Sequence, residues 1–195
     1  AGYFTFSNSY RQGLPTLIEG LKKRYSLHLI SGDNDGEEKK MRAIFGDEAS
    51  LHFNQSPADK KQYILRLKEK GENVLMIGDG LNDAGALAES NTGISVAEDV
   101  FSFSPACDAI LEAASFDKLE KLISFSRTSF KVVRRSFIIS LIYNVIGLSF
   151  AVSGKLSPLI AAILMPLSSI SIVAFATLSI GWFASRQLKK DESVR

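Results

Sequence analysis

The sequence predicts an α/β fold with a doubly wound parallel sheet, followed by a hairpin of two transmembrane helices. Apolar, strand-like runs alternate with helical patterns, and the first four runs begin 23 to 24 residues apart. Residues 136–154 contain no charge and are followed, after Lys155, by 30 uncharged residues at 156–185. The net charge is −4 over residues 1–128 and +6 over residues 129–195. An acidic soluble part is thus joined to an apolar part with basic flanks.

The composition excludes several classes of function. The acidic part has no basic stripe, which argues against a nucleic-acid partner. The single cysteine, Cys107, excludes a disulfide framework, and the two separated histidines, His28 and His52, argue against a His-rich metal site. We expect Cys107 to be a small packing residue. The sequence begins at Ala1 without a signal-peptide pattern, so we expect it to be a piece of something longer.

Strands and helices can be assigned in order along the chain. The apolar runs predict five strands and a short sixth, at residues 3–6, 26–30, 50–53, 73–77, 92–96 and 108–111. The intervening helical patterns lie at residues 14–24, 37–45, 58–69 and 82–88. From Phe116 a helical pattern, with Ser115 as its N-cap, continues into the first apolar segment. If unbroken to Ser153, this helix would be about 57 Å long and would couple the soluble part to the membrane.

The two apolar segments are long enough to cross a membrane. At about 1.5 Å per residue the first would span about 28 Å, close to a hydrocarbon thickness of about 30 Å. Basic residues flank the outer ends of the pair, at Lys131, Arg134, Arg135, Arg186, Lys189 and Lys190. The positive-inside rule therefore places both ends in the cytoplasm and the connecting turn outside. Ser157 and Pro158 suit the N-cap and first position of the second helix.

Polar motifs follow three of the predicted strands, where ligands bind in open α/β sheets. They are SGDN at residues 31–34, SPADK at residues 56–60 and GDGLND at residues 78–83. A hydroxyl beside a glycine amide can hold phosphate oxygens, and a lysine at a helix start can neutralise them. Two carboxylates four residues apart can hold Mg²⁺ beside a phosphate. Each motif alone would suit an ordinary turn, but the three in this order predict a phosphate site.

The order SGDN, PxDK, GDGxND closely resembles the second half of the phosphorylation domain of P-type ATPases, which has a haloacid-dehalogenase-type fold. The resemblance covers nearly the whole chain. It implies that the Ser31 hydroxyl and the Gly32 amide hold the phosphoryl group and that Lys60 neutralises it. Asp33, in the first motif, would order the hinge.

The same resemblance implies Mg²⁺ as the cofactor and ATP as the substrate. Asp79 would bind the Mg²⁺ ion, and Asn82 and Asp83 would complete that site. The aspartate that the family phosphorylates lies in a DKTGT motif, which is absent here, as are the nucleotide-binding and actuator domains. We therefore expect a C-terminal fragment of a cation-translocating ATP hydrolase, inactive on its own.

The resemblance also predicts a domain organisation. Residues 1–115 would be the C-terminal part of the phosphorylation domain, and residues 116–135 a linking helix. Residues 136–185 would form the transmembrane hairpin, with spans at about 136–154 and 157–184, and residues 186–195 a cytoplasmic tail. The expected location is the bacterial inner membrane, with the soluble part in the cytoplasm.

Two other hypotheses stay open at this stage. Residues 33–36 read Asp-Asn-Asp-Gly, which looks like the DxDG nucleophile motif of soluble phosphatases of the same superfamily. A membrane-tethered phosphatase would then use Asp33, but no hydroxyl motif would lie between Asp33 and Lys60. The other hypothesis is a non-catalytic, truncated or remnant chain, and turnover by the isolated chain would distinguish the two.

Polar residues inside the apolar segments point to an ion. Tyr143 and Asn144 lie in the middle of the first segment. The second carries a methionine and two serines at helical spacing i, i+3, i+4, with a proline that should kink the helix: Met165, Ser168, Ser169 and Pro166. Asn144 and Ser168 lie at similar depths, about 15 and 17 Å from the outer turn. A thioether favours Cu(I) over harder cations, although these residues could also be packing residues.

The pair YN and MxxSS resembles the last two helices of Cu(I)-transporting heavy-metal ATPases. In that family a CPC motif on an earlier helix supplies thiolates, and it is absent here. Gly85 replaces the usual proline of NDAPAL, and residues 97–108 lack the usual glycine-threonine loop, as in the branch that supplies respiratory haem-copper oxidases. The implied partners are Cu(I), the lipid bilayer and a copper chaperone. A pump for Zn²⁺ or another metal also stays open, although such a pump would be expected to carry an intramembrane acidic or lysine residue, and the sequence has none apart from Lys155 in the turn.

Overall fold

The computed structural model describes residues 10–11, 13–98, 106–155 and 157–187. The chain divides into two compact units, Ala1–Glu120 and Lys121–Arg195. The strand predicted at residues 3–6 lies outside the described residues.

The first unit is a parallel α/β structure, as predicted. Its strands are β1 to β5, at His28–Ile30, Ser50–His52, Leu75–Gly78, Thr92–Ala97 and Ala109–Glu112. All described strand pairs are parallel: β1 pairs with β2, and β4 lies between β3 and β5. Among the described residues no strand pairs with both β1 and β3, so the predicted sheet is present as two ladders.

Four helices connect the strands. Helices α1 to α4 lie at Leu14–Lys22, Glu38–Phe45, Pro57–Glu69 and Ala84–Glu89, and a 3-10 turn at Asp35–Glu37 precedes α2. Helix α3 begins at Pro57, one residue before the predicted start, because Ser56 is its N-cap. The Ser56 hydroxyl accepts a hydrogen bond from the Asp59 N–H, and the Asp59 side chain accepts a hydrogen bond from the Ser56 N–H. This reciprocal capping box fixes the first turn of α3.

The core of this unit lies between α3, α4 and the second ladder. Ile64 of α3 packs with Met76 of β3 and Leu87 of α4, and Ile30 of β1 contacts the same cluster. Ile64 and Leu87 are only 2% and 1% exposed. Cys107 contacts the cluster and is partly buried, in the packing position expected for it.

The long helix begins later than predicted. A 3-10 helix at Ala113–Lys118 follows β5 directly, and helix α5 runs over Leu119–Val152. Ser115 is therefore not an N-cap, and that prediction was wrong. The cap of the 3-10 helix is Glu112, the last residue of β5, whose extended backbone is what a cap requires. With 34 residues, α5 is about 51 Å long.

The turn after α5 is a Schellman motif. Gly154 has a φ of 69° and donates its N–H to the Ala151 carbonyl, and Lys155 donates to the Phe150 carbonyl. Glycine reaches this left-handed conformation without steric cost. Helix α6 then runs over Pro158–Gln187, and its Ile160 N–H donates to the Ser157 hydroxyl at 3.3 Å. The predicted helix start at residues 157–158 is confirmed.

Two helical segments, Ala113–Val152 and Pro158–Arg186, are long and apolar enough to cross a membrane. Only 6% and 0% of their most apolar windows are buried inside the structure. A core helix of a soluble protein would be mostly buried, so the exposure of these windows agrees with the predicted membrane segments.

Candidate functional site

The first predicted motif forms a tight loop at the end of β1. The Ser31 N–H donates to the His52 carbonyl at 2.8 Å and so continues the β1–β2 ladder by one residue. The Asp33 N–H donates to the Ser31 hydroxyl oxygen at 3.1 Å, and that hydroxyl lies 3.3 Å from Asp33 Oδ2. Gly32 lies between them and is exposed. The hydroxyl and the Gly32 amide therefore lie at the carboxyl end of the strand.

The chain that follows β2 holds this loop through its backbone. The Gln55 N–H donates to the Ser31 carbonyl at 2.9 Å, and the Asn54 N–H donates to the Asp33 carbonyl at 2.8 Å. Asn54 has a φ of 56°, a left-handed conformation that asparagine tolerates better than most residues. The first motif is thus connected to the residues that begin α3.

Helix α3 presents Lys60 on its first turn. Hydrogen bonds from the Ser56 side chain and backbone lower the pKa of Asp59, which keeps the capping carboxylate ionised. Lys60 Nζ lies 2.7 Å from Asp83 Oδ1, and the two side chains are only 12% and 11% exposed. Asp83 Oδ2 also accepts from the Asp79 N–H at 3.3 Å. Both oxygens of Asp83 are therefore engaged.

Asp79 is the exposed carboxylate of the third motif. The Asn82 N–H donates to Asp79 Oδ1 at 3.2 Å, and Asn82 Nδ2 donates to Oδ2 at 3.3 Å. A Cβ atom on Gly78 would overlap the Asp83 carboxylate, and Gly80 has a φ of 88°. Glycine at both positions lets the loop close tightly around Asp83 while Asp79 faces outward.

The donor set around Asp79 suits Mg²⁺. The side chains of Asp79 and Asn82 offer carboxylate and amide oxygens, which are the ligand atoms that a hard cation prefers. Among the described residues no group of three or more His, Cys, Asp or Glu side chains could form a complete metal cage. Mg²⁺ is usually held by one or two carboxylates together with substrate phosphates and water.

The structure thus brings the predicted site residues into two groups. Hydrogen bonds connect Lys60, Asp79, Asn82 and Asp83. Ser31, Gly32 and Asp33 form the second group, which reaches the start of α3 through residues 54–56.

A further cluster beside the site escaped the sequence analysis. Tyr63 Oη lies 2.8 Å from His28 Nδ1 and 3.1 Å from His52 Nε2. The sequence offered one signal for Tyr63, its position three residues after Lys60 on the same helix face. That both histidines approach its hydroxyl depends on the pairing of β1 with β2, which the sequence did not specify.

The predicted ion-binding residues lie on α5 and α6. The Ser168 and Ser169 hydroxyls donate to the Met165 carbonyl of their own helix, at 2.9 and 3.4 Å. The Met165 side chain is 79% exposed, and Tyr143 is 38% exposed. Within the part of the chain that the structure describes, no hydrogen bond joins Tyr143 or Asn144 to the residues of α6.

The chain is similar to known proteins. Residues 2–91 match the model of a haloacid dehalogenase-like hydrolase family. A probable copper-transporting ATPase, PacS of Synechocystis, is 31% identical over 185 residues, which are 94% of this chain and 24% of that protein. The nitrogen fixation protein FixI of Rhizobium leguminosarum is 30% identical over 94% of this chain and 24% of its own length. The chain therefore spans about a quarter of the relatives it matches.

A solved structure shows the same fold. The crystal structure of a zinc-transporting PIB-type ATPase in the E2.Pi state superposes with a TM-score of 0.76 and 22% identity, over 89% of this chain and 28% of that one. The chain thus has a haloacid dehalogenase-like α/β fold joined to two long apolar helices, and over 94% of its length it is similar to part of a copper-transporting ATPase.

Proposed function

We propose that this chain is part of a heavy-metal P-type ATPase, a pump that moves a cation across a membrane through an aspartyl-phosphate. One observation carries the proposal. Lys60 and Asp83 form a mostly buried ion pair beside the exposed Asp79, at the carboxyl end of β3. The Ser31 loop likewise lies at the carboxyl end of its strand, β1. A cation, a metal-binding carboxylate and a hydroxyl with a free amide are the groups that a transferring phosphoryl group requires.

The proposed roles follow from this arrangement. The Ser31 hydroxyl and the Gly32 amide would hold phosphoryl oxygens. The Asp33 carboxylate accepts a hydrogen bond from the Ser31 hydroxyl and so orients it. The Lys60 ammonium has three donors, so it can reach a phosphoryl oxygen while keeping its bond to Asp83. Stabilisation of phosphoryl charge by such preorganised groups is the main catalytic contribution in this class of reaction.

Asp79 would hold Mg²⁺, with Asn82 orienting its carboxylate, and Asp83 would complete that site while it also holds the loop and Lys60. When bound, Mg²⁺ would supply positive charge against the phosphoryl group. ATP would phosphorylate an aspartate that is not among these residues, and we expect no ATPase activity from this chain alone. The similarity to a copper-transporting ATPase supports this function over a phosphatase that uses Asp33.

The transported ion in this proposal is Cu(I). Met165 supplies a soft sulfur donor, and Ser168, Ser169, Tyr143 and Asn144 would lie near the ion path. The similarity to PacS, whose name describes a probable copper-transporting ATPase, supports copper. The zinc-transporting structure has the same fold at 22% identity and carries no argument about the ion.

The proposed organisation assigns residues 1–115 to the phosphorylation domain, 116–135 to a linking helix, 136–185 to the membrane hairpin and 186–195 to a cytoplasmic tail. The bacterial inner membrane is the proposed location, and a copper chaperone the proposed source of the ion. We also propose the branch that serves respiratory haem-copper oxidases, because the sequence of residues 97–108 departs from the usual loop. PacS and FixI are equally similar overall, so this stretch alone supports the branch.

The test is formation of an aspartyl-phosphate by the complete protein that contains this chain. Labelled ATP with Mg²⁺ and Cu(I) should give an acid-stable phosphoprotein that hydroxylamine cleaves, as an acyl phosphate requires. Labelling that does not depend on Cu(I) would argue against copper as the ion. Mg²⁺-dependent hydrolysis of a phosphomonoester by the isolated chain, lost in Asp33→Asn, would instead support the phosphatase.

A further inference from the structure

Tyr63, His28 and His52 form a polar cluster that the proposed chemistry does not use. The Tyr63 hydroxyl lies within hydrogen-bonding distance of both histidines, at 2.8 and 3.1 Å. The Tyr63 ring centroid is 5.8 Å from that of His28 and 4.6 Å from that of His52. All three residues are half-buried. One hydroxyl therefore connects both histidines of the sequence.

The cluster joins α3 to the first ladder. His28 lies on β1 and His52 on β2, where His52 pairs with Ile30. Because alternate residues of a strand face the same side, His28 and His52 share one face of this ladder. Tyr63 of α3 reaches that face with its hydroxyl, so it holds the helix to two strands at once.

Helix α3 also contacts the second ladder. Ile64, next to Tyr63, packs with Met76 of β3, and Lys60 bonds Asp83 at the start of α4. Among the described residues β1 and β3 are not paired. Helix α3 therefore spans the two ladders, and Tyr63 is its polar contact with the first.

We propose that Tyr63 is a positioning residue, which fixes Lys60 relative to the phosphate-binding loop at Ser31. Lys60 lies one turn before Tyr63 on α3, and Ser31 lies three residues after His28. Through the cluster, the cation and the hydroxyl that would contact the same phosphoryl group are held in register. This inference rests on the proposed phosphoryl-transfer function and adds to it a residue that touches neither phosphate nor metal.

The bonding of the cluster depends on its protons. A hydroxyl has one proton, so Tyr63 can donate to only one of the two imidazole nitrogens, and it accepts from the other when that nitrogen carries its proton. Burial lowers the pKa of His28 below its ordinary 6.5, with His52 and Lys70 acting in the same direction and Glu72 against them. Burial also raises the pKa of Tyr63, with Glu72 in the same direction, while Ser50 and Arg66 oppose it. At neutral pH His28 and Tyr63 are therefore both uncharged, and the contact between them is intact.

Acid should disrupt this arrangement. When the His28 imidazole is protonated, its contacting nitrogen becomes a donor and can no longer accept the Tyr63 proton. A cation then also faces the Tyr63 oxygen. The position of Lys60 should therefore become less well defined as the pH falls through the lowered pKa of His28, and a purely structural tyrosine would not produce this pH dependence.

The test uses the complete protein and its phosphorylation by inorganic phosphate with Mg²⁺, at pH 7.5 and pH 5.0. Tyr63→Phe removes the hydroxyl, and Tyr10→Phe is the matched control, since it removes a hydroxyl from a ring that lies 6.0 Å from Lys40. In His28→Asn/His52→Gln the side-chain amides replace the contacting ring nitrogens and do not titrate, and each amide can turn either its oxygen or its NH2 group to the Tyr63 hydroxyl. Because variants are compared at equal pH, the ionisation of phosphate itself cancels.

We expect Tyr63→Phe to raise the half-maximal phosphate concentration about tenfold at pH 7.5, because small displacements of a charge-stabilising group are costly. The increase in the half-maximal phosphate concentration on moving from pH 7.5 to pH 5.0 should be smaller in Tyr63→Phe and in the double histidine variant than in Tyr10→Phe. Equal half-maximal concentrations and equal pH ratios in Tyr63→Phe and Tyr10→Phe would overturn the proposal.

If Tyr63→Phe does not fold, the double histidine variant decides the result. The proposal would then be overturned if the ratio of half-maximal phosphate concentrations at the two pH values were the same in this variant as in Tyr10→Phe. Absence of any phosphorylation in the wild-type and Tyr10→Phe proteins would instead be a failure of the proposed function.

Discussion

The α/β unit and the two apolar helices satisfy their polar side chains in different ways. In the α/β unit, side chains bond across elements: Lys60 of α3 reaches Asp83 before α4, and Tyr63 of α3 reaches two strands. In the helices, the Ser149 and Ser168 hydroxyls donate to carbonyls of their own helix. The α/β unit therefore connects several residues of the proposed phosphate site by hydrogen bonds, whereas the described residues of the helices supply only separate candidate ligands for an ion.

This difference has a physical cause. A hydroxyl that donates to a carbonyl three or four residues earlier needs no second helix, so it can lie in an apolar environment at little cost. Serines in α5 and α6 are therefore weak evidence for an ion site. Met165 is the better candidate ligand, because a thioether sulfur favours Cu(I) over harder cations.

The largest effect should come from Asp79→Ala in the complete protein. Asp79 is the exposed carboxylate oriented by Asn82, and its loss would remove the proposed Mg²⁺ ligand. We expect phosphoenzyme formation from ATP to fall by about 10²-fold or more. Asp47→Ala removes an exposed carboxylate elsewhere in the same unit and should leave labelling unchanged. Normal labelling of Asp79→Ala at saturating ATP would remove Asp79 from the site.

The second prediction separates the structural and chemical roles of Lys60. Lys60→Met leaves Asp83 mostly buried without its cation, which should cost about 3 kcal/mol of stability. Adding Asp83→Asn should restore much of that stability, because no uncompensated charge remains. Thermal unfolding of the purified protein measures this recovery.

Labelling by ATP should stay low in both Lys60 variants, since neither has a cation to stabilise the phosphoryl group. Recovery of labelling together with stability would show that Lys60 only balances the charge of Asp83. The comparison between unfolding and labelling therefore tests whether this part of the α/β unit acts on phosphate.

The sequence was sufficient for those parts of the fold that depend on local pattern. Strands β2 and β4 begin at Ser50 and Thr92, as predicted, and the three motifs lie at strand ends. The start of α5 was not predicted, because it depends on where β5 stops pairing with β4. The Tyr63 cluster was missed for a similar reason: its partners are 35 and 11 residues away, and strand register brings them together.

The third prediction concerns the apolar helices. Met165→Leu keeps the volume and apolarity of the side chain, so its stability cost should stay below about 1.5 kcal/mol. Equilibrium binding of Cu(I) to the detergent-purified complete protein should nevertheless weaken at least about tenfold, because a ligand is lost. Ile170→Leu is a matched control on the same helix, with a side chain that is also exposed.

Asn144→Leu should weaken Cu(I) binding at the same step, while phosphorylation from inorganic phosphate, which does not require an occupied ion site, should persist in both variants. If Met165→Leu binds Cu(I) with unchanged stoichiometry and affinity, the methionine is a packing residue and the copper proposal loses its main support in this chain.

The smallest expected effect is a pH dependence of stability that originates in the α/β unit. Burial lowers the pKa of His28 in the folded protein. Above the ordinary value of 6.5 the imidazole is neutral in both the folded and the unfolded states, so the contribution of neutral His28 to the free energy of unfolding is fully present. As the pH falls from 6.5 through the lower folded pKa, the unfolded chain binds a proton that the folded chain does not, so stability decreases.

In His28→Asn this pH-dependent contribution to stability is absent. The apparent melting temperature of the wild-type protein should therefore fall more steeply than that of His28→Asn between pH 7 and pH 5, whereas the two curves should be parallel above pH 7.5. Parallel curves over the whole range would show that His28 does not titrate differently in the folded protein, and would leave the cluster without a pH-sensitive group on β1.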